Sequence, residues 1–590
     1  MHKRNIFIIF LLIFFIIAVI GGGAYYFRGV LEEEKVNDKT EHLIVGGVVP
    51  HHLLAEETIE NFFEYIFLKE SPESIVLLSP DHFNSGTLCQ EVLFLTLEPE
   101  SGKFNGLEID KTLLTSLSEK TNFCFSSASL EIEHGITNLL PFIKKHSLNT
   151  KILPILIPFN ISKDQISLLI EEINSLSSSE TIIIASVDFS HYLPKSAADF
   201  HDAKSIRVLL NFEKDNFKNL EVDCWQCLYG VRRFAELRQK EKPKIIGYAN
   251  SLDFLSSKLG DKEERETTSY FSLAFEKGKI IPVSEKQKVK TVLFVGDIML
   301  GRGVEYLMNK NSFFYPFEKI NQLLKGVDIV AGNLEGPILE NPPKFSPDSL
   351  RFAFHPKVIK GLSLTGFNLL SLANNHTLDT GEAGFEETKN LLFEASIGFV
   401  GHPIGCDKDF LFEKEEIIFL AFNKTFPFNC SDEQILEVIN KIRTANPEKF
   451  LVILFHWGQE YQLKSSLSQQ KLARRTIEAG ADLVIGHHPH VVQEIEEYKG
   501  KIIIYSLGNF IFDYDGYHIK ETLDGLAVGL EIYPEKIIYR FFPVKTYWSQ
   551  PSLMEEEKTQ DFLKELAEKS SPSLLEEIEK GIIIIERSAH

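Results

Sequence analysis

The sequence predicts an α/β protein behind an N-terminal transmembrane helix, on three observations. An apolar run from Ile6 to Phe27 opens the chain. Short runs rich in Ile, Val, Leu and Phe then alternate with amphipathic stretches of helical period, and Asp, Asn, Glu and His recur directly after those runs. Alternating strand and helix signals imply a sheet with helices on its faces.

The chain has 590 residues, with 62 Lys+Arg against 83 Asp+Glu and a formal charge of −21. At roughly 100 to 200 residues per domain, this length divides into about three domains, or two large ones with appendages. The acidic balance, with no clustered Lys/Arg, excludes nucleic-acid binding, because phosphate neutralisation supplies most of that affinity. Six cysteines are too few for a disulfide-built scaffold of this size.

Lys3 and Arg4 precede the apolar run and Glu32, Glu33 and Glu34 follow it. A helix over the run rises about 33 Å, enough to cross a hydrocarbon core of about 30 Å. The charge asymmetry puts the N-terminus in the cytoplasm and the body outside, single-pass. Gly22-Gly23-Ala24 offers the alternative of a cleaved secretion signal. Residues 1–30 are thus read as the anchor and 31–41 as a polar linker. Strands are expected at 42–49, 74–79, 151–158 and 181–187, with helices at 56–67 and 165–176. The charged stretch 282–290 breaks the pattern and separates a domain at 42–285 from one at 290–549. The second domain repeats the style with runs at 291–295, 328–331, 369–373, 417–422, 450–455, 482–485 and 501–506. Residues 550–590 read as a charged helical tail.

Ligands of open α/β sheets bind outside the carboxyl ends of the strands. The second half has Asp297, Asn333 with Glu335, Asn375 with His376, His456, His487 with His488 and His490, and Asn509 at six such ends. A mixed set of carboxylate, amide and imidazole suits a two-metal hydrolytic centre, and the absence of Cys disfavours structural zinc. The segments Phe294-Val-Gly-Asp297, Gly332-Asn-Leu-Glu335-Gly-Pro337, Leu372-Ala-Asn-Asn375-His376, Phe455-His456-Trp-Gly458, Gly486-His-His-Pro-His490 and Tyr505-Ser-Leu-Gly-Asn509 resemble the CapA family of poly-γ-glutamate and capsule biosynthesis proteins, related to calcineurin-like metallophosphoesterases. The resemblance implies a metallophosphoesterase-type α/β sandwich. It implies Asp297, Glu335, Asn375, His456 and two of His487, His488 and His490 as ligands of Mn, Zn or Fe. His376 beside Asn375 would orient the substrate or protonate the leaving group. Met299 stands where the wider superfamily carries a histidine.

In the first half, His51 and His52, Asp81 and His82, and Asp188 with His191 follow strands, and Glu133-His134 and Asp223-Cys224 lie at loops or helix starts. Two imidazoles and a thiolate would make an open site for iron, copper or zinc, whereas Cys224-Trp-Gln-Cys227 by itself also suits a local disulfide. These segments resemble the Memo family, known in bacteria as AmmeMemoRadiSam system protein B, with a fold like that of the LigB-type extradiol dioxygenases. The resemblance implies iron or copper on His51, His82 and Cys224, with His134, Asp188 and His191 lining the same pocket.

The expected protein is therefore an exported, membrane-anchored fusion. Its Memo-like half binds metal, and its CapA-like half acts as a metal-dependent hydrolase on a phosphoester or an anionic polymer, or in the making of such a polymer. Two alternatives stand: a noncatalytic envelope protein that binds polymer or metal, and a redox, dioxygenase-like role for the Memo-like half. With no basic groove in the sequence, an anionic polymer would be held by the metals.

Overall fold

Every central strand of the first half is an unbroken apolar run, which suits burial on both faces. The computed structural model describes residues 43–85, 94–255, 266–278, 288–345, 349–406, 411–414, 416–426, 429–513 and 519–587. The expected anchor and linker, and most of the stretch 282–290, lie outside these. Among the described residues no helix is long and apolar enough to cross a membrane.

The first sheet runs in the order Lys242–Asn250, Thr267–Glu276, Ile44–Val49, Thr181–Ser186, Ser74–Pro80, Lys151–Ile157, Phe94–Thr96 and Phe123–Phe125. Ile44–Val49 through Lys151–Ile157 pair in parallel, so their carboxyl ends share one edge. The helices Glu56–Lys69 and Lys163–Leu176 form where helical period was read. The second starts on a reciprocal Ser162–Gln165 capping box, which satisfies two orphan amides.

In the second half, Lys290–Ile298, Ile329–Leu334, Leu369–Ser371 and Gly398–Val400 are parallel neighbours, and Asp524–Ile532 and Lys536–Tyr547 extend the sheet in antiparallel fashion. A six-stranded sheet faces it, centred on the parallel strands Ile417–Asn423, Phe450–His456, Leu483–His487 and Lys501–Ile504. Period-two alternation divides each strand between two cores. Val292 and Phe294 meet Val452, Leu454 and Ile485 between the sheets, while Leu293 and Val295 face the opposite side. The result is a sandwich of two mixed sheets.

Several strands run further than their apolar stretches. Lys290–Ile298 takes in Asp297, Ile329–Leu334 takes in Asn333, and Phe450–His456 and Leu483–His487 end on their histidines. Pairing continues through the polar residues, with Asp297 opposite Asn333 and His456 opposite His487. The tail also differs from a wholly helical reading. Gln550–Leu553 is a strand, the helices Glu556–Lys569 and Leu575–Glu579 follow, and Ile582–Glu586 pairs with Lys536–Tyr547. The short apolar run Ile582–Ile585 finds an open sheet edge there.

Helix Lys195–Asn211 of the first half is buried along most of its length, not along one stripe. Its Ala197 and Phe200 share a core with Ala527, Phe542 and Val544 of the second half. Buried charges are matched across this contact. Arg207 grips Asp328 at 2.6 and 2.9 Å and the Val289 carbonyl at 2.6 Å, and Lys204 donates to the Val327 carbonyl at 2.9 Å. Both halves thus belong to one compact unit.

Candidate metal centres

Two glycines bring the strands of the second half close enough to gather their polar ends. A Cβ on Gly296 would stand 2.0 Å from the Gly508 carbonyl oxygen, and one on Gly486 would stand 1.9 Å from that of Tyr505. Each glycine directly precedes a candidate ligand, so the close backbone approach that needs glycine also delivers Asp297 and His487.

Asn333 Nδ2 donates to Asp297 Oδ1 at 2.8 Å and lies 3.1 Å from His456 Nδ1. His456 Nε2 lies 2.7 Å from Asn375 Oδ1 and 3.7 Å from Glu335 Oε1. His490 Nδ1 reaches Asn509 Oδ1 at 2.9 Å and Asp297 Oδ2 at 3.4 Å, and the His488 amide donates to Asp297 Oδ2 at 3.2 Å. Asp297, Glu335 and His490 form one group with ligand atoms within 4.8 Å of one another, and Glu460, His488 and His490 form a second. His487 turns away: its Nε2 bonds the Val295 carbonyl at 3.2 Å. The pair from the cluster that faces the site is therefore His488 and His490. Both hold left-handed backbone, with φ of 94° and 58°, a conformation whose cost of about 1–3 kcal/mol is characteristic of functional sites.

The electrostatics call for a cation. Burial, and then the neighbouring Asp297, push the Glu335 carboxyl well above its ordinary range, and its Oε2 has no hydrogen-bond partner. Burial would lower His490, but the Glu335 and Asp297 carboxylates outweigh it and raise the ring to about 9. Burial and adjacent imidazoles push His456 well down and His488 down to about 4, so both are neutral donors. His488 Nδ1 is buried without a partner. Two buried carboxyl groups, neutral imidazoles and an amide oxygen, with orphaned atoms among them, fit a divalent metal.

His376 stands beside this set. Asp379 Oδ2 takes its Nδ1 at 3.0 Å, and the Phe352 ring lies against its ring, tilted by 35°, at 4.2 Å between centroids. His376 and Asn375 line a cavity of about 180 Å³ with Arg302, Glu460, Tyr461 and His490. Of these, Arg302, Glu460 and Tyr461 were not singled out from the sequence. Glu460, four residues past His456 in the same strand-end loop, was the more readable signal.

In the first half, the strand ends and the helix at His134 bring three imidazoles together. The His51 ring lies 5.1 Å from that of His82 and 5.2 Å from that of His134, and His82 stacks on His134 at 4.2 Å. Glu133 takes His82 Nδ1 at 2.7 Å and so fixes the ring. Asp223 Oδ2 is 3.5 Å from His51 Nε2 and 3.9 Å from His82 Nε2, and Asp188 Oδ2 is 3.6 Å from His51 Nε2. Burial and then Asp188 raise Asp223 well above its ordinary range, and Asp223 Oδ1 has no partner. Burial, then His82 and His134, lower His51. His191 interacts electrostatically with Asp188 and His51, and burial lowers it to about 4. This donor set, too, fits a divalent metal.

Cys224 is not among the donors. It is bonded to Cys227, and its sulfur accepts the Cys227 amide at 3.1 Å as the cap of helix Trp225–Leu237. The one-turn spacing of Cys-x-x-Cys at a helix start closes this bridge. Asp223, one residue earlier, occupies the place expected for the thiolate.

The profile of the bacterial capsule synthesis protein PGA_cap family matches residues 291–514, and that of Memo-like proteins matches residues 30–258. The capsule biosynthesis protein CapA of Bacillus anthracis is 33% identical over 259 residues, 40% of this chain and 62% of that one. The PGA biosynthesis protein CapA of Bacillus subtilis is 32% identical over 257 residues, 39% of this chain and 67% of that one. A MEMO1 family protein of Caldivirga maquilingensis is 25% identical over 216 residues, 35% of this chain and 73% of that one. The chain thus spans less than two thirds of the length of the first of these relatives. By its second half the chain belongs to the CapA family of capsule synthesis proteins, and this half is fused to a Memo-like domain.

Proposed function

We propose that this protein serves in the assembly or trimming of an anionic envelope polymer, of the poly-γ-glutamate or capsule type, and that its CapA-like half is a metal-dependent hydrolase. The observation that carries this reading is the buried Glu335–Asp297 pair, set among His456, His488, His490 and Asn375 at the carboxyl ends of facing sheets. Asp297, Glu335, Asn375, His456, His488 and His490 would hold Mn, Zn or Fe. Bound there, the metal would supply Lewis-acid polarisation of the scissile bond.

The chain's own residues supply the rest. Asp379 holds the His376 Nδ1 proton, so Nε2 is the atom that delivers a proton to the leaving group. Asn333 locks Asp297 by donating to it, and is itself held by Asn374 Nδ2 at 3.2 Å. Phe352 and Phe512 form apolar parts of the cavity wall.

The Memo-like half is read as a second metal site, of iron or copper, on His51, His82 and His134 with Asp223. The apolar run 6–27 is read as a membrane anchor with the body outside the cytoplasm. The disulfides Cys224–Cys227 and Cys406–Cys430 support that compartment, because such bonds persist where the surroundings oxidise. The test is Mn- or Zn-dependent hydrolysis of poly-γ-glutamate or of a generic phosphodiester. Activity lost in His456→Ala and His376→Ala supports the reading, and no turnover of either substrate by the metal-loaded chain contradicts it.

A further inference from the structure

The cavity at His376 has carboxyl groups on its metal side, yet Arg302 is also on its wall, the one guanidinium or ammonium group among the described residues that line it. Arg302 opens helix Arg302–Lys310 with a left-handed φ of 48°, a strained choice for an arginine. Its orientation is fixed on several sides. Asp513 accepts from Nε at 3.1 Å and from Nη2, and also takes the Gly303 amide at 3.2 Å. The guanidinium lies 5.0 Å from the centre of the Phe352 ring and 5.8 Å from that of Phe512, and Phe352 is the ring that packs against His376. A salt bridge at a helix end accounts for Nε and Nη2. It leaves Nη1 without a hydrogen-bond partner among the described residues, and it does not require a place on the wall of this cavity.

We propose that Arg302 reads the charge of the substrate: its free edge receives an oxyanion, a carboxylate or a phosphate, borne by the group next to the bond positioned at His376. This rests on the hydrolase reading of the same cavity. Glu460 on the same wall repels an acidic chain, so a polymer with a charge on every unit needs a cation at the flanking unit once the reacting unit faces the metals. A planar guanidinium, pre-oriented by Asp513 and two rings, matches a carboxylate or phosphate edge and orders few new rotors on binding. The sequence reading assigned the holding of the polymer to metals alone; Arg302 adds a fixed organic cation.

The experiment is calorimetric binding to the full chain loaded with Mn²⁺, using tetra-γ-glutamate, its methyl ester and phenyl phosphate as probes. Arg302→Gln is expected to weaken tetra-γ-glutamate, phenyl phosphate or both by about tenfold or more, the size expected for a lost charge-assisted hydrogen bond. The affected probe names the source of the oxyanion, and Arg302→Lys recovers part of the loss. Equal affinity of wild type and Arg302→Gln for both acids, no binding of either acid by wild type, or an ester bound as tightly as the acid would overturn the proposal. Should Arg302→Gln fold poorly, Asp513→Asn keeps a side-chain oxygen for the Gly303 amide and frees the fork. It must then shift acid affinity while leaving that of the ester unchanged, and an unchanged acid affinity counts against Arg302. Mn²⁺ affinity read in the same titrations separates the two ideas. If it is intact while acid binding ignores Arg302, this proposal falls and the hydrolase reading stands; if Mn²⁺ does not bind, the hydrolase reading falls.

Discussion

Asp297, near the end of strand Lys290–Ile298, and Glu335, directly after its parallel neighbour Ile329–Leu334, bring carboxyl oxygens within 4.8 Å of each other in a fully buried site. Two such groups cannot both ionise at this separation without a cation. Glu335 is the member held above its ordinary range. A carboxyl raised in the folded state contributes stability below its unfolded value and loses it as pH rises through the folded one. Metal-free protein should therefore lose melting temperature as pH climbs above the ordinary carboxylate range, and Glu335→Gln should lose less. Saturating Mn²⁺ should remove the difference between the two. A pH series of thermal unfolding, with and without metal, measures this; identical slopes for wild type and Glu335→Gln would count against it.

The three histidines of the Gly486-His-His-Pro-His490 turn should separate functionally. His488→Ala and His490→Ala should each weaken metal binding to the second half by tenfold or more, in line with loss of a ligand. His487→Gln should retain metal, because its ring serves the Val295 carbonyl. Calorimetry on the three variants decides it, and equal losses in all three would contradict the geometry.

Cys224→Ser should leave metal content in the first half unchanged, because the sulfur is committed to Cys227. Asp223→Ala and His51→Ala should deplete it. Elemental analysis of purified proteins reads the outcome, and depletion in Cys224→Ser alone would restore the thiolate as a ligand.

Asp328→Asn should destabilise the whole chain by about 3 kcal/mol, the usual scale for orphaning one partner of a buried ion pair. Arg207 is almost fully buried and Asp328 spans three of its contacts, two to Arg207 and one to the Thr291 amide at 3.0 Å. Chemical denaturation should show both halves unfolding in one shifted transition. Two separate transitions, with only one shifted, would contradict a shared interface.

Much of this was legible because α/β sheets put chemistry at strand ends. Asp297, Glu335, Asn375, His456, His51 and His82 could be read from their position after apolar runs, and the structure gathers them. Other features depend on direction or on tertiary partners, which a linear pattern does not carry. His487 and His488 differ in sequence by one place but in orientation by the alternation at the end of strand Leu483–His487. Asp223 and Cys224 are neighbours, and the local helix start decides which of them faces the imidazoles. Arg302 reads as a surface cation until Phe352 and Phe512, far apart in sequence, close on it. Helix Lys195–Asn211 carries His201, Asp202, Lys204 and Arg207, which suggest a solvated face, yet all four are buried, three against partners in the second half and Asp202 against Ser190 and Tyr248 of the first.

The most direct test of the central claim is titration of Mn²⁺ into the metal-free full chain, wild type beside Asp297→Asn and His456→Ala, with binding to the first half removed in all three by His51→Ala. The account predicts stoichiometric binding to the protein with an otherwise intact second half, and its loss in both variants while their folded content holds. No binding to the intact second half, or equal binding in all three, would contradict it.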